Sequence, residues 1–339
     1  MKIMVAMSGG IDSSMSVKLL KDAGHELMGV YMKLHENPSY HAKNIANVQK
    51  VGEYFGVPTS VLDLSDEFAK NVYEPFVDAY KKGLTPNPCA LCNRFIKLGA
   101  LLNYAKENDC EKLATGHYVR IENGLLKVAL DESKDQSYFL ANIEPSALKS
   151  VIFPLGGYLK SQIKEMAKAH EKINFLSSQK ESNEICFVEN TYIDVLERHF
   201  STLQKGVVKN QSGDVVGTHD GYMRYTIGKR RGFSVFGAHE PHYVTKIDPQ
   251  NNEIYVGLKE ELAQNSFKTI NFNAFCELED EFECYAKIRY RSPKTKAFVS
   301  VKNGFCEARL AQNAYGIAKG QLAVFYDEFD RVIASGFIG

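Results

Sequence analysis

The 339-residue chain balances 41 Lys and Arg against 41 Asp and Glu, so no global field draws it to nucleic acid and any RNA binding must come from local patches. At this length two or three domains are expected, each with its own core. No stretch approaches the roughly 18 apolar residues of a membrane span, and the N-terminal apolar run is too short for a secretory signal; the seven cysteines, an odd number at irregular spacing, read as thiols, ligands or catalytic groups of a reducing, cytoplasmic compartment.

The apolar run Ile3-Met4-Val5-Ala6-Met7 predicts a strand that turns through Ser8-Gly9-Gly10 into a helix over about 13–21. A strand, a glycine turn and a helix start make a phosphate cradle, because glycine lets the backbone approach an anion and the helix N-terminus presents free N–H groups. The loop lacks the Lys-Ser/Thr ending of a Walker-type loop. A strand follows around 27–31, a helix over 44–55, a strand over 59–64 and a long helix from Ser65, with Asp66 and Glu67 in its first turn where the dipole favours them. A further helix is predicted over 93–106 and a strand over 111–117. This alternation predicts an α/β fold: a doubly wound, mainly parallel sheet covered on both faces. Ligands in such sheets bind at the strands' carboxyl ends, here Ser8-Gly9-Gly10, Met32-Lys33 and Thr115-Gly116-His117-Tyr118.

After about His199 short strand-like runs between Gly, Asn and Asp turns take over. The expected division is a catalytic domain over 1–202, a small central β domain over 203–268 and a C-terminal β-barrel over 269–339. Within the first, Thr85-Pro86-Asn87-Pro88-Cys89-Ala90-Leu91-Cys92-Asn93 places two thiols just before a helix. A Cys92 thiolate there would be stabilised by the helix dipole, lowering its pKa. The lone CxxC is weak evidence for zinc, and no metal ligand set is assigned. In the barrel, Lys287, Arg289 and Arg291 alternate along a strand predicted over 284–291, so they share one face and Ile288 and Tyr290 the other. Lys294 and Lys296 extend that cluster, and Lys229-Arg230-Arg231 forms a second.

Ser8-Gly9-Gly10-Ile11-Asp12-Ser13-Ser14 resembles the pyrophosphate loop of the N-type ATP pyrophosphatases. With TPNPCALCN, ATGHY, KDQSYFL, ICF, YTIGKRRG, RYRSP and KGQLAVFY in order, the chain resembles the tRNA-specific 2-thiouridylases, the MnmA family. The resemblance implies an adenine nucleotide alpha hydrolase-like, Rossmann-like catalytic domain and ATP-dependent 2-thiolation of a tRNA wobble uridine. It further implies that Ala6, Met7, Ser8, Gly9, Gly10, Ile11, Asp12, Ser13, Met32 and Gly116 surround ATP, with Asp12 and Ser13 as polar ligands to phosphate or Mg2+. Cys92 would be the nucleophile and Cys186 the persulfide carrier, with sulfur delivered to C2 either from the persulfide or as hydrosulfide released when the other thiol resolves it. A mobile segment around 179–190 would close over the base.

By the same resemblance Asn87, Pro88 and Cys89 lie beside the target base. His117, Lys134, Asp135, Gln136, Arg289, Tyr290, Arg291 and Gln321 contact tRNA. The implied partners are tRNAs of the Glu, Gln and Lys type and a sulfur donor such as a cysteine desulfurase or sulfur-relay protein, with no membrane. Many family members carry Asp where this chain has Cys89. That departure admits an iron–sulfur cluster on Cys89, Cys92 and Cys186 holding exogenous sulfide, and more weakly a zinc site. The rival functions are an N-type ligase or amidotransferase without need of a thiol, and a non-catalytic tRNA-binding protein.

Overall fold

The computed structural model describes residues 1–178, 185–302 and 305–339. Strands β1 (Lys2–Ala6), β2 (Glu26–Lys33), β3 (Thr59–Asp63), β4 (Lys112–Ala114) and, after a short hairpin of β5 (Arg120–Glu122) and β6 (Leu125–Lys127), β7 (Val151–Ile152) build the N-terminal unit. Its sheet has the order β3-β2-β1-β4-β7 with every pair parallel, the doubly wound arrangement expected from the sequence. Ile3, Met4 and Val5 are fully buried, as continuous apolar strands covered on both faces must be. The first helix, α1 (Ile11–Asp22), begins directly after the glycine turn. The second, α2 (Pro38–Phe55), starts earlier than the expected 44, because Asn37 accepts the Tyr40 amide, Pro38 occupies the first helical position, and Gly56 closes the far end at φ +62°.

Two helices carry π-wound stretches. Residues 65–81 run as Ser65–Phe68, a π turn Ala69–Tyr73 and Glu74–Lys81. Residues 88–107 run as Pro88–Leu91, a π stretch Cys92–Ala100 and Leu101–Glu107. The latter begins at Pro88 rather than near Asn93, since Asn87 accepts the Ala90 amide at 3.2 Å and proline fits the first turn. Gly99 permits the wide winding, for a Cβ there would stand 2.8 Å from the Arg94 carbonyl oxygen five residues back.

Strands β8 (Gly206–Lys209), β9 (Val215–His219), β10 (Phe233–Val235), β11 (Tyr243–Asp248) and β12 (Glu253–Gly257) form a second sheet, order β10-β9-β8-β12-β11. Strands β13 (Ala263–Ala274), β14 (Glu281–Lys287), β15 (Thr295–Lys302), β16 (Phe305–Tyr315), β17 (Leu322–Tyr326) and β18 (Val332–Ile338) close a barrel in the order β13-β16-β15-β14-β17-β18. Because β13 starts at Ala263, the expected boundary at 268/269 falls inside a barrel strand. The strand predicted over 284–291 ends at Lys287. There the Ser292 hydroxyl oxygen accepts the amides of Ile288 and Arg289, both at 3.2 Å, and folds the chain into a turn. Lys287, Arg289 and Arg291 therefore do not share a strand face.

The barrel is not a separate bead. Leu322, Val324, Tyr326 and Val332 pack into the same apolar cluster as Met4, Leu101, Leu113 and Tyr138 of the N-terminal unit. The Tyr138 hydroxyl donates to the Leu322 carbonyl at 2.7 Å and the Ser335 hydroxyl to the Ala141 carbonyl at 2.6 Å. Tyr326→Ala, which empties a fully buried site in this shared cluster, is expected to cost about 3–5 kcal/mol. Urea unfolding followed by near-UV circular dichroism should lose barrel and N-terminal signals together.

Candidate nucleotide and thiol site

The glycine loop lies at the carboxyl end of β1, as expected. Gly9 adopts φ +80°, and a Cβ on it would meet the Asn44 carbonyl of α2 at 2.8 Å, so glycine is required twice over. Ser13 shapes the turn: its hydroxyl donates to the Gly10 carbonyl at 3.2 Å and accepts the Ser8 amide at 3.1 Å. Gly10 caps α1 without a side chain, leaving the first amides of the helix to an anion. Gly116 presses on this turn from the loop after β4, since a Cβ there would stand 2.9 Å from the Ser13 nitrogen. Met7 and Ile11 are buried in the apolar core and can offer a ligand only backbone, while Met32 packs at the edge of two core clusters.

Asp12 is not open to solvent ligands alone. The Lys160 ammonium donates to both its oxygens, at 2.6 and 2.7 Å, and the Tyr118 hydroxyl donates to one at 2.9 Å. Lys160, 7% exposed, begins the Lys160–Lys168 helix, and its backbone amide is held by Asp131 at 2.9 Å. The sequence reading missed this lysine, because it stands 148 positions from Asp12 and only the fold brings the two together. A buried cation next to amide donors is an anion site. Asp12 also suits Mg2+, which keeps several waters and needs only one or two carboxylates beside phosphates.

Phe187 brings the distant cysteines into one neighbourhood. It packs against Phe68, Tyr73 and Phe76 with ring centroids 5.5, 5.4 and 5.1 Å away, in the cluster that also contains Cys92 and Ile96. Cys92 is buried, Cys89 half-buried and Cys186 exposed. The expected dipole-lowered thiol is not found: burial pushes Cys92 up to about 11, and Lys97 opposes this only in part. The helix starts four residues before Cys92, so the thiol lies beyond the first turn where the dipole acts. Burial likewise raises Cys89. Cys186 is exposed at the surface, and desolvation by the surrounding protein raises it to about 12, with Cys92 and Cys89 adding and Lys97 opposing. Of the segment expected to close over a base, residues 179–184 lie outside the described residues. Among the described residues no three His, Cys, Asp or Glu side chains converge to hold a metal ion, so Cys89, Cys92 and Cys186 do not fit a three-thiolate cluster site in this conformation.

Several residues expected at the RNA surface are engaged inside the protein. His117 is buried between Lys97, whose ammonium stands 3.2 Å from its Nε2, and the Thr115 hydroxyl at 2.7 Å from Nδ1. Asp135 accepts the amides of Ala129 and Ser137 and the Ser137 hydroxyl. The Gln136 side chain accepts the Tyr118 amide. Gln321 donates to the carbonyls of Thr85 and Pro86 at 3.1 and 3.0 Å, and so holds the loop that carries Asn87, Pro88 and Cys89. Arg289 reaches back to the Ile227 carbonyl at 3.0 Å, and Tyr290 packs at a tilt against Phe139 with ring centroids 4.5 Å apart. Lys134 is half-buried. Lys294 is paired with Asp330, and Lys229 donates to the Arg224 carbonyl at 2.6 Å. Arg230, Arg231 and Arg291 are exposed.

Family models described as a tRNA methyl transferase HUP domain, a tRNA methyl transferase PRC-barrel domain and an aminomethyltransferase β-barrel domain match residues 1–190, 193–258 and 264–338. Proteins named tRNA-specific 2-thiouridylase MnmA from Campylobacter fetus and Campylobacter curvus are 62% and 60% identical, each over 100% of both chains. One of the same name from Campylobacter jejuni is 56% identical, again over the whole of both. Among solved structures, a 4-thiouridine synthetase–RNA complex with bound ATP aligns at 18% identity over 55% of this chain and 44% of that chain. Its TM-score of 0.36 is too slight a likeness to decide fold or function.

Lys160 is buried while its partner Asp12 is half-exposed, so removing the carboxylate leaves a buried ammonium that water compensates only in part. Asp12→Asn is therefore expected to destabilise the protein by about 1–3 kcal/mol, and Asp12→Asn with Lys160→Met by clearly less than the two single changes summed. Urea midpoints of the three variants, read as a double-mutant cycle, check the coupling.

Proposed function

The chain belongs to the tRNA-specific 2-thiouridylases, a family of tRNA sulfurtransferases, and we propose that it thiolates C2 of the wobble uridine of tRNA by adenylation followed by sulfur transfer from a cysteine persulfide. C2 of uracil is a poor electrophile because its oxygen leaves badly. Attack of that oxygen on the α-phosphorus of ATP expels pyrophosphate and converts the oxygen into part of AMP. The amides at the start of α1 and the Lys160 ammonium are the groups available to hold the phosphates, and Asp12 the carboxylate for Mg2+, which when bound neutralises phosphate charge.

The terminal sulfur of a Cys186 persulfide then attacks C2 and AMP departs with the oxygen. Cys92, as thiolate, attacks the Cys186 sulfur, which breaks the S–S bond to the transferred atom. The product is 2-thiouridine and a Cys92–Cys186 disulfide, which a thiol reductant must reopen before an external donor reloads Cys186. The observation that carries this reading is the anchoring of Phe187 in the Cys92 cluster, because two thiols separated by 94 positions have no local reason to meet. Burial disfavours ionisation of both thiols in the absence of substrate.

The target base must leave the anticodon stack, at a cost of a few kcal/mol that phosphate contacts offset. Arg230, Arg231 and Arg291 are the exposed cations proposed for those contacts, in place of Lys287 and Arg289. Among the described residues no helix is long and apolar enough to cross a membrane.

With persulfide-loaded protein, ATP and tRNA, labelled sulfur should enter the anticodon loop, and Cys92→Ser or Cys186→Ser should each abolish it. Unimpaired transfer by Cys186→Ser would overturn the relay. Arg230→Gln, Arg231→Gln and Arg291→Gln combined should flatten the slope of log affinity for tRNA against log salt by about 2 and leave ATP binding unchanged; filter binding at four salt concentrations measures both.

A further inference from the structure

Lys97 is a cation that the reading above leaves without a role. It lies on the π-wound stretch Cys92–Ala100, five residues after Cys92. In an i→i+5 ladder those positions sit one turn apart, stacked along the same side, whereas α-helical winding would swing Lys97 well away from Cys92. Its ammonium is 3.2 Å from Nε2 of His117, and among the described residues it forms no ion pair with a carboxylate. An ammonium can only donate, so His117 accepts at Nε2 and carries its own proton on Nδ1, toward the Thr115 hydroxyl 2.7 Å away. His117 is 7% exposed, and burial, helped by Lys97, holds it well below the usual imidazole range. A neutral His117 thus tethers the cation without neutralising it. The tether stands just past β4 next to Gly116, whose backbone packs on the phosphate turn, so it joins the strand end behind the nucleotide loop to the helix that carries Cys92.

We propose that Lys97, tethered by His117, is the positioning residue that supplies the positive charge for the thiolate of Cys92, with Cys89 and Cys186 in the same field. This rests on the thiolation reading for its purpose, but its physical content does not. The charged and titratable groups around Cys92 are Cys89 and Lys97 on its own helix and Cys186 on the segment facing it. Tyr31 and Tyr40 border Cys186 from β2 and α2. Of these only Lys97 favours an anion, and it opposes burial at all three thiols.

The test is the iodoacetamide rate of Cys92 between pH 7.5 and 9.5 in full-length protein carrying Cys89→Ser and Cys186→Ser, without tRNA or ATP. In that range the rate follows the thiolate fraction and rises tenfold per pH unit. Lys97→Gln can still donate to His117 and lacks only the charge, so its line should fall about tenfold below the parent at every pH, while Lys97→Arg stays near the parent. Coincident lines for Lys97→Gln and the parent, at equal thermal midpoints, would overturn the proposal. So would an equal fall for Lys97→Arg, which would mark a role in packing. If Lys97→Gln fails to fold, Lys97→Met at the same pH values gives the same comparison, and His117→Leu, which frees the cation, should lower the line as well. Failure of the parent enzyme to thiolate tRNA, with the Lys97→Gln line still displaced, would reject the function and leave this assignment standing.

Discussion

The thiol site depends on a hydrophobic contact more than on any polar one. Phe187 fills a slot between Phe68, Tyr73 and Phe76, and the chain has to pass through Cys186 to reach it. The slot exists because the 65–81 helix and the 88–107 helix turn apolar sides toward each other, with Val208, Val244 and Ile254 of the second sheet closing the cluster. Burial of one aromatic ring supplies about 2–3 kcal/mol, enough to hold a segment whose own sequence has little helix or strand preference. The second sheet is thereby part of the site although it contributes no reactive group.

Burial sets the chemistry as well as the geometry. A thiol surrounded by apolar side chains resists ionisation, and here that effect exceeds the pull of the available cation. The phosphate side is built differently: Lys160 is equally buried but locked to Asp12, so its charge is compensated until a stronger anion arrives. One lysine is neutralised by a carboxylate and waits for phosphate. The other is tethered by a neutral imidazole and keeps its charge. That division separates a nucleotide half from a sulfur half within one cleft.

Most of the architecture was legible in the sequence because it rests on local signals: β-branched runs for the parallel strands, the glycine turn after β1, and the change to short strands after about 199. The errors have local physical causes too. The Lys-Ile-Arg-Tyr-Arg alternation imitates a strand, but Ser292 ahead of Pro293 captures the amides of Ile288 and Arg289. Asn87 and Pro88 looked like loop residues and are instead cap and first turn. Nothing in hydropathy reveals π winding, so the relation of Cys92 to Lys97 was invisible. The pairing of Lys160 with Asp12 and the use of Gln321 to hold Thr85 and Pro86 span more than a hundred positions, a separation at which sequence pattern carries no distance information.

The thiol at position 89 fits this division of charge. An aspartate at that position, two helical turns before Lys97, would compete with the cysteines for its ammonium, or take up a proton itself on burial. Cys89 does neither at neutral pH, because burial keeps it protonated. With no carboxylate paired to Lys97 among the described residues, its field falls on the neutral His117 and on the thiols. A thiol rather than a carboxylate at position 89 therefore leaves the charge of Lys97 available to Cys92.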